Sequence, residues 1–413
     1  MSEWKKYKLS EIATLSNGIN FDKSAYTSGV KLIGVADFKD RIYPDYESLQ
    51  EVDSKVVRRG DYLEKGDIVF VRSNGNKELV GRCMMIDRDI PVTYSGFCIK
   101  LHLIDKNLFE PVYFNYLFRT RQFRKAITGT AVGANIQNLS QARLGNCEVN
   151  IPEIETQIRI ATILSRYDTL IENYQKQIKL LEEAAQRLYK EWFVELRFPG
   201  HENTKMVDGL PEGWERKRLV EFGCSLESGA RPKGGVDSNL KDGIPSVGAE
   251  NVIGLGKYNY SSEKLVTNQF YSQMRKGKIK DRDILIYKDG AYIGRTSLFQ
   301  DGFPHKEMAV NEHVFLLHTL NENYQYYVFF TLYQKQYFEK MQKLNKNAAQ
   351  PGLNQKALLD LVMLCPTENF VLLFNKAIEP LMKALFSKAN QIRLLTEARD
   401  RLLPRLMGGE MKV

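Results

Sequence analysis

The sequence predicts an α+β protein written twice: two similar mixed domains separated by two long helices that form an intramolecular antiparallel coiled coil, with pseudo-twofold duplicated architecture. Three observations predict it. The chain repeats at about half its length, both halves mix short strand-like runs with helical stretches, and two long segments carry apolar residues at heptad spacing. A chain of 413 residues accommodates about two or three domains, and 43% hydrophobic with 26% charged residues describes a globular protein that can bury its cores.

The repeat appears at three places. Trp4-Lys5-Lys6-Tyr7-Lys8-Leu9-Ser10-Glu11-Ile12 is echoed by Trp214-Glu215-Arg216-Lys217-Arg218-Leu219-Val220-Glu221-Phe222, so both segments open a domain. Gly66-Asp67-Ile68-Val69-Phe70-Val71-Arg72-Ser73-Asn74-Gly75 parallels Asp281-Arg282-Asp283-Ile284-Leu285-Ile286-Tyr287-Lys288-Asp289-Gly290. Each is a β-branched and aromatic strand ending in a polar turn, followed by Gly81-Arg82 or Gly294-Arg295. The third echo sets Gln177-Ile178-Lys179-Leu180-Leu181-Glu182-Glu183-Ala184 against Gln391-Ile392-Arg393-Leu394-Leu395-Thr396-Glu397-Ala398.

Residues 1–150 form the first head on this reading and 207–365 the second. Strands are expected at 31–35, 67–71, 97–103, 284–287 and 313–317, and helical stretches at 111–128 and 324–343. Strands and helices without regular βαβ alternation point to α+β domains.

Helical regions follow at 151–206 and 366–413. In the first, Ile160, Leu164, Tyr167, Ile171, Tyr174, Ile178, Leu181, Ala185, Leu188 and Trp192 alternate spacings of four and three, which is a heptad seam. Phe374, Ile378, Leu381, Leu385, Lys388, Ile392, Leu395, Arg399, Leu402 and Leu406 repeat the seam with two basic interruptions. A single amphipathic helix packs on its own domain, but two matched stripes in one chain favour an intramolecular pair. Pro380 implies a kink or a helix that begins after it, and Pro404 with Gly408-Gly409 implies a stop close by. About 40 residues of helix span roughly 60 Å, more than one ~34 Å turn of B-DNA, so such a rod suits a ruler.

The net charge of +9 favours a polyanionic partner. The opening residues lead into no signal-peptide core and no run approaches the ~18 apolar residues of a membrane span, so a cytoplasmic chain is expected. Cys83, Cys98, Cys147, Cys224 and Cys365 lie far apart and signal neither a zinc site nor a disulfide framework; reduced, mostly buried thiols are expected.

Candidate DNA contacts fall in three kinds of place. Arg72, Ser73, Asn74, Asn76 and Lys77 offer guanidinium, amide and ammonium donors just after a strand, although a plain surface turn has the same composition; Lys288 and Arg295 occupy the matching stretch of the second half. Arg121 and Arg124, beside Arg119 and Lys125, and Lys335, Lys340 and Lys343 form basic helical faces suited to phosphate, or to solvent. Gly- and amide-rich loops before the last strand of each head carry Asn135, Gln137 and Asn138 in one copy and Asn347, Gln350 and Asn354 in the other.

Catalytic motifs are missing. No Asn-Pro occurs to orient a target amine, and Gly256-Lys257 and Gly277-Lys278 are followed by Tyr258 and Ile279 rather than the Ser or Thr of a phosphate-binding loop. Asn311-Glu312-His313, with His305 nearby, lacks the second motif of a nuclease and is assigned a structural role.

Leu210-Pro211-Glu212-Gly213-Trp214, Ile151-Pro152 followed by Gln157, Ile160, Ala161, Ile163 and Leu164, Tyr189-Lys190-Glu191-Trp192-Phe193, and Leu402-Leu403-Pro404-Arg405-Leu406-Met407-Gly408-Gly409-Glu410 make the chain similar to type I restriction-modification specificity subunits. The likeness spans essentially the whole chain; Cys365-Pro366 stands where the first copy has Ile151-Pro152. The resemblance implies that each head is a target recognition domain reading half of a bipartite double-stranded DNA sequence. It also implies two methyltransferase (modification) subunits, which use S-adenosylmethionine to methylate adenine, and restriction motor-nuclease subunits. S-adenosylmethionine, ATP and Mg are expected on those partners and none on this chain. The alternatives are a stand-alone DNA-binding regulator and an adapter acting through its coiled coil.

Overall fold

The structure, a computed structural model, describes residues 4–38, 41–73, 76, 79–128, 138–345 and 352–413. It divides into two compact units, residues 1–169 with 395–413 and residues 170–394. Each unit holds one head and a stretch of both long helices.

In the first unit the strands are β1 (Lys5–Lys8), β2 (Ala13–Asn17), β3 (Tyr26–Ile33), β4 (Gln50–Val52), β5 (Ile68–Val71), β6 (Cys83–Met85), β7 (Val92–Tyr94), β8 (Cys98–Leu103) and β9 (Glu148–Ile151). Helices α1 (Leu9–Ile12), α2 (Pro111–Arg119), α3 (Arg121–Thr128) and α4 (Gln141–Gly145) join them. The main sheet runs β2-β8-β5-β6 with every pairing antiparallel, while β3 pairs antiparallel with β4 and parallel with β7. β1 pairs with β9, tying the two ends of the head together. The apolar run Ile68–Val71 has no exposed residue, because β5 is a central strand with side chains buried on both faces.

A long helix α5 (Ile154–Tyr189) follows, extended by a wider π turn over Lys190–Val194. The second unit then repeats the first pairing by pairing. Its strands are β10 (Met206–Val207), β11 (Leu210–Pro211), β12 (Glu215–Arg218), β13 (Cys224–Ser228), β14 (Ile244–Val247), β15 (Leu265–Val266), β16 (Ile284–Tyr287), β17 (Thr296–Leu298), β18 (Ala309–Val310), β19 (Val314–Thr319) and β20 (Val362–Cys365). The order β13-β19-β16-β17 matches β2-β8-β5-β6, β12-β20 matches β1-β9, and β14 has one antiparallel and one parallel neighbour as β3 does. The helices are α6 (Asn268–Gln273), α7 (Gln325–Tyr333), α8 (Lys335–Asn345), α9 (Gln355–Leu359) and the long α10 (Glu368–Met407).

The duplication reaches side chains. His102 Nδ1 lies 2.7 Å from the fully buried Asp67, and His318 Nδ1 lies 3.0 Å from buried Asp283. The second oxygen of each aspartate accepts a backbone N–H three residues upstream, from Glu64 and Lys280, both at 2.8 Å. A buried carboxylate needs such partners, and each pair fixes the entry to a central strand.

Two helical expectations change. The stretches 111–128 and 324–343 are each two helices, broken at Thr120 and Gln334, whose backbones are extended (ψ 144° and 142°). α10 begins at Glu368, well before Pro380, and passes through it. Pro380 lies on the solvent face, where water can satisfy the carbonyl that its missing N–H leaves free. The stop is where expected: Gly408 and Gly409 N–H bond to Pro404 and Leu406 carbonyls, with Gly409 at φ +70°.

The long helices run antiparallel within each unit. In the first, Ile160, Ala161 and Leu164 of α5 share a core with Leu406 and Met407 of α10, and Arg399 reaches Asp168. In the second, Lys388 sits over the Tyr174 ring at 5.3 Å, while Tyr189 and Trp192 meet Phe374 with ring centroids 6.2 and 6.0 Å apart. Both basic interruptions of the heptad seam therefore have partners on the opposite helix. Of the apolar positions of the predicted seam, Ile160, Leu164, Ile171, Ile178, Ala185, Trp192, Phe374, Ile378, Leu385 and Leu406 are buried; Tyr167, Tyr174, Leu181, Leu188, Leu381, Ile392, Leu395 and Leu402 are half-buried.

Candidate nucleic-acid interface

Each head gathers candidate contacts where its central strand ends. Arg72 follows β5, and its N–H donates to the Phe97 carbonyl at 2.8 Å while its own carbonyl accepts from Leu139 at 2.7 Å. Ser73 also donates to the Phe97 carbonyl, at 3.3 Å, and is bridged to Asn138. Three chain segments far apart in sequence thus converge on Arg72, Ser73 and Asn138.

The second head builds the same junction. Lys288 follows β16, donates to the His313 carbonyl at 3.0 Å and accepts from Leu353 at 2.8 Å. The side chains repeat the pattern: Arg72 Nη1 is 3.5 Å from the Gly96 carbonyl, and Lys288 Nζ is 3.3 Å from the Glu312 carbonyl. A basic group therefore stands at one position of two copies of one scaffold, with N–H donors left for a ligand.

The neighbouring turns are held by helices. Gly81 and Gly294 adopt positive φ, +77° and +84°, and a Cβ at either would approach Ile127 of α3 or Met341 of α8 to within 2.8 or 2.7 Å. Only glycine fits so close a helix at that backbone conformation. Arg295 lies 4.0 Å over the ring of exposed Tyr292, and Arg124 donates to the Val80 carbonyl at 3.3 Å. Arg124 thus braces the turn from behind.

Other candidates lie elsewhere. Arg121 is exposed and lines a cleft with Trp4, Asp400 and Pro404. Lys335, Lys340 and Lys343 are exposed along α8; Lys335 is 3.9 Å from Glu339, and Lys340 lies 4.3 Å over the Tyr337 ring. Asn76 and Asn138 are exposed, and Asn354 caps α9 by accepting from Lys356 and Ala357. Asn74, Lys77, Asn135, Gln137, Asn347 and Gln350 lie outside the described residues.

Sequence reasoning missed the acidic frame of the second junction. His313 Nδ1 is 3.1 Å from Asp289, and Glu312 pairs with Arg231 at 2.8 Å. His305 pairs separately with Glu263 at 2.6 Å, so the two histidines serve different local networks. Spacing offers no signal for such contacts, because strand pairing creates them.

Comparison with known proteins bears on this arrangement. A family model described as the type I restriction modification DNA specificity domain matches residues 1–183. The chain is 28% identical to the type I restriction enzyme MjaIX specificity subunit of Methanocaldococcus jannaschii, across 76% of this chain and 72% of that protein. It is 21% identical to the type I restriction enzyme HindI specificity subunit of Haemophilus influenzae, across the full length of both. The crystal structure of a type I restriction-modification system S subunit from M. genitalium has the same fold, with a TM-score of 0.60 at 17% identity over 98% of this chain and 96% of that one.

Proposed function

Since the chain belongs to the family of type I restriction-modification specificity subunits, whose business is DNA recognition, we propose that it reads a bipartite double-stranded target, one half-site per head. The observation that carries the proposal is the equivalence of Arg72 and Lys288, basic residues at the same strand end in both copies. Guanidinium and ammonium groups so placed grip phosphate or donate to guanine O6 and N7. The α8 lysines add sequence-independent attraction to the backbone.

The chain supplies no chemistry of its own on this reading. It directs two modification subunits that methylate adenine with S-adenosylmethionine, and motor-nuclease subunits that use ATP and Mg, all of which bind on those partners. The antiparallel helices set the number of unread base pairs between half-sites, and their exposed faces receive the partner subunits. A cytoplasmic setting belongs to this proposal because its DNA partner is found there; among the described residues no helix is long and apolar enough to cross a membrane.

Co-expression with its cognate modification subunit tests the proposal. The expected result is a stable complex and adenine methylation at a two-part motif that vanishes when this chain is left out. DNA binding without a methyltransferase partner would favour a stand-alone regulator, and partner binding without DNA an adapter.

A further inference from the structure

Among the positions of the strand-end junction at which the two heads differ in chemistry is the one whose carbonyl receives the N–H of the basic residue. In the first head it is Phe97, whose carbonyl receives the Arg72 and Ser73 N–H groups and which is itself 61% exposed. In the second head it is His313, whose carbonyl receives the Lys288 N–H. Framework positions behave otherwise: the Asp67–His102 pair is matched by Asp283–His318, and Arg72 by a second basic residue. Phe97 is thus left mostly open to solvent beside Arg72.

Resting on the DNA-reading proposal above, we propose that Phe97 reads the 5-methyl group of a thymine in the major groove of the first half-site. Apolar contact with that methyl is the direct readout open to a phenylalanine side chain. The neighbouring Arg72 guanidinium, turned across residues 95–97 toward the Gly96 carbonyl, supplies the positive charge that brings the strand end to DNA. His313 replaces the apolar surface with an imidazole whose Nδ1 lies 3.1 Å from Asp289 and whose Nε2 lies 3.4 Å from Glu312, so the second head reads a different base edge from the same place.

The test uses the full chain in complex with its modification subunit and a duplex carrying its methylated motif. Each thymine of the first half-site is replaced in turn by deoxyuridine, which lacks only the methyl, and affinity is measured for the parent and for Phe97→Ala. At one thymine, uridine weakens the parent about fourfold, the value of one buried methyl. Phe97→Ala is insensitive to uridine at that position alone. A parent indifferent to uridine everywhere, a first half-site without thymine, or equal uridine penalties in parent and variant would each overturn the assignment of Phe97 while leaving DNA reading intact. A complex that distinguishes no motif from random duplex would remove the DNA-reading proposal itself. Unchanged dependence of Phe97→Ala on the second half-site shows that the variant is folded.

Discussion

Arg399 of α10 donates to the Asp168 carboxylate of α5 at 2.5 Å, and Tyr116 of α2 donates to the other oxygen of the same carboxylate. One aspartate thus fastens a head helix and both long helices within the first unit. The two charged side chains are only 23% and 11% exposed, so water replaces little of what either would lose. Asp168→Ala is expected to cost about 2 kcal/mol, below the range for a fully buried pair because Arg399 reaches some solvent. Replacing Asp168 and Arg399 together by leucine costs less than the sum of the single replacements. Urea unfolding of the two singles and the double measures this directly, and strict additivity would mean that the pair contributes nothing.

Exposed lysines on α8 lead to a prediction about salt. Lys335→Gln, Lys340→Gln and Lys343→Gln together remove three charges, including the Lys340 ammonium that lies over the Tyr337 ring, and leave a polar side chain at each exposed position. Binding weakens for every DNA sequence alike, and the slope of log affinity against log salt falls by about 0.9 for each phosphate that is no longer neutralised. Affinity measured across a salt series decides; a slope equal to the parent's excludes these lysines from the interface.

Burial makes the thiols slow. It pushes Cys83 up to about 11 and Cys98 and Cys224 up to about 12. At pH 8 fewer than about one in a thousand of these groups is thiolate, and thiolate is the reactive form. Labelling with a disulfide reagent at pH 8 should be slow in the native chain and fast for all five cysteines in urea. Rapid native labelling of Cys83 or Cys98 would contradict the packing described.

Asp283 predicts a pH effect of definite sign. Burial raises its carboxyl above the ordinary 3.8, so the folded chain binds that proton more tightly than the unfolded one. Its contribution to stability is fully present below 3.8 and is lost as pH rises through the folded value. Asp283→Asn removes this dependence; its one amide oxygen can still accept the Lys280 N–H, while its NH2 group faces His318 Nδ1 and donates to it. Unfolding measured from about pH 4 upward should show the parent losing stability relative to the variant; the opposite trend would mean the carboxylate is favoured in the fold.

The legible part of this molecule was whatever repeats along the chain. The heptad seam at Ile171, Ile178 and Leu385 and the two central strands are local patterns, and the fold has them where the pattern puts them. Breaks at Thr120 and Gln334 had no such mark, since neither is Gly or Pro and the flanking residues form helix on both sides. The passage of α10 through Pro380 was decided by which face meets water, a tertiary matter. Asp67 with His102, and Phe97 beside Arg72, become neighbours only when β5 pairs with β8. Asn354 illustrates the remaining ambiguity of composition: an amide in a polar loop serves here as a helix cap.

Exchange of one head tests the central claim most directly. Residues 1–150 are replaced by the corresponding head of another specificity subunit, and adenine methylation is mapped across DNA from cells that also express the modification subunit. The account predicts a motif in which one half-site changes and the other half-site and the spacer stay as they were. A motif altered in both halves, or in neither, would contradict it.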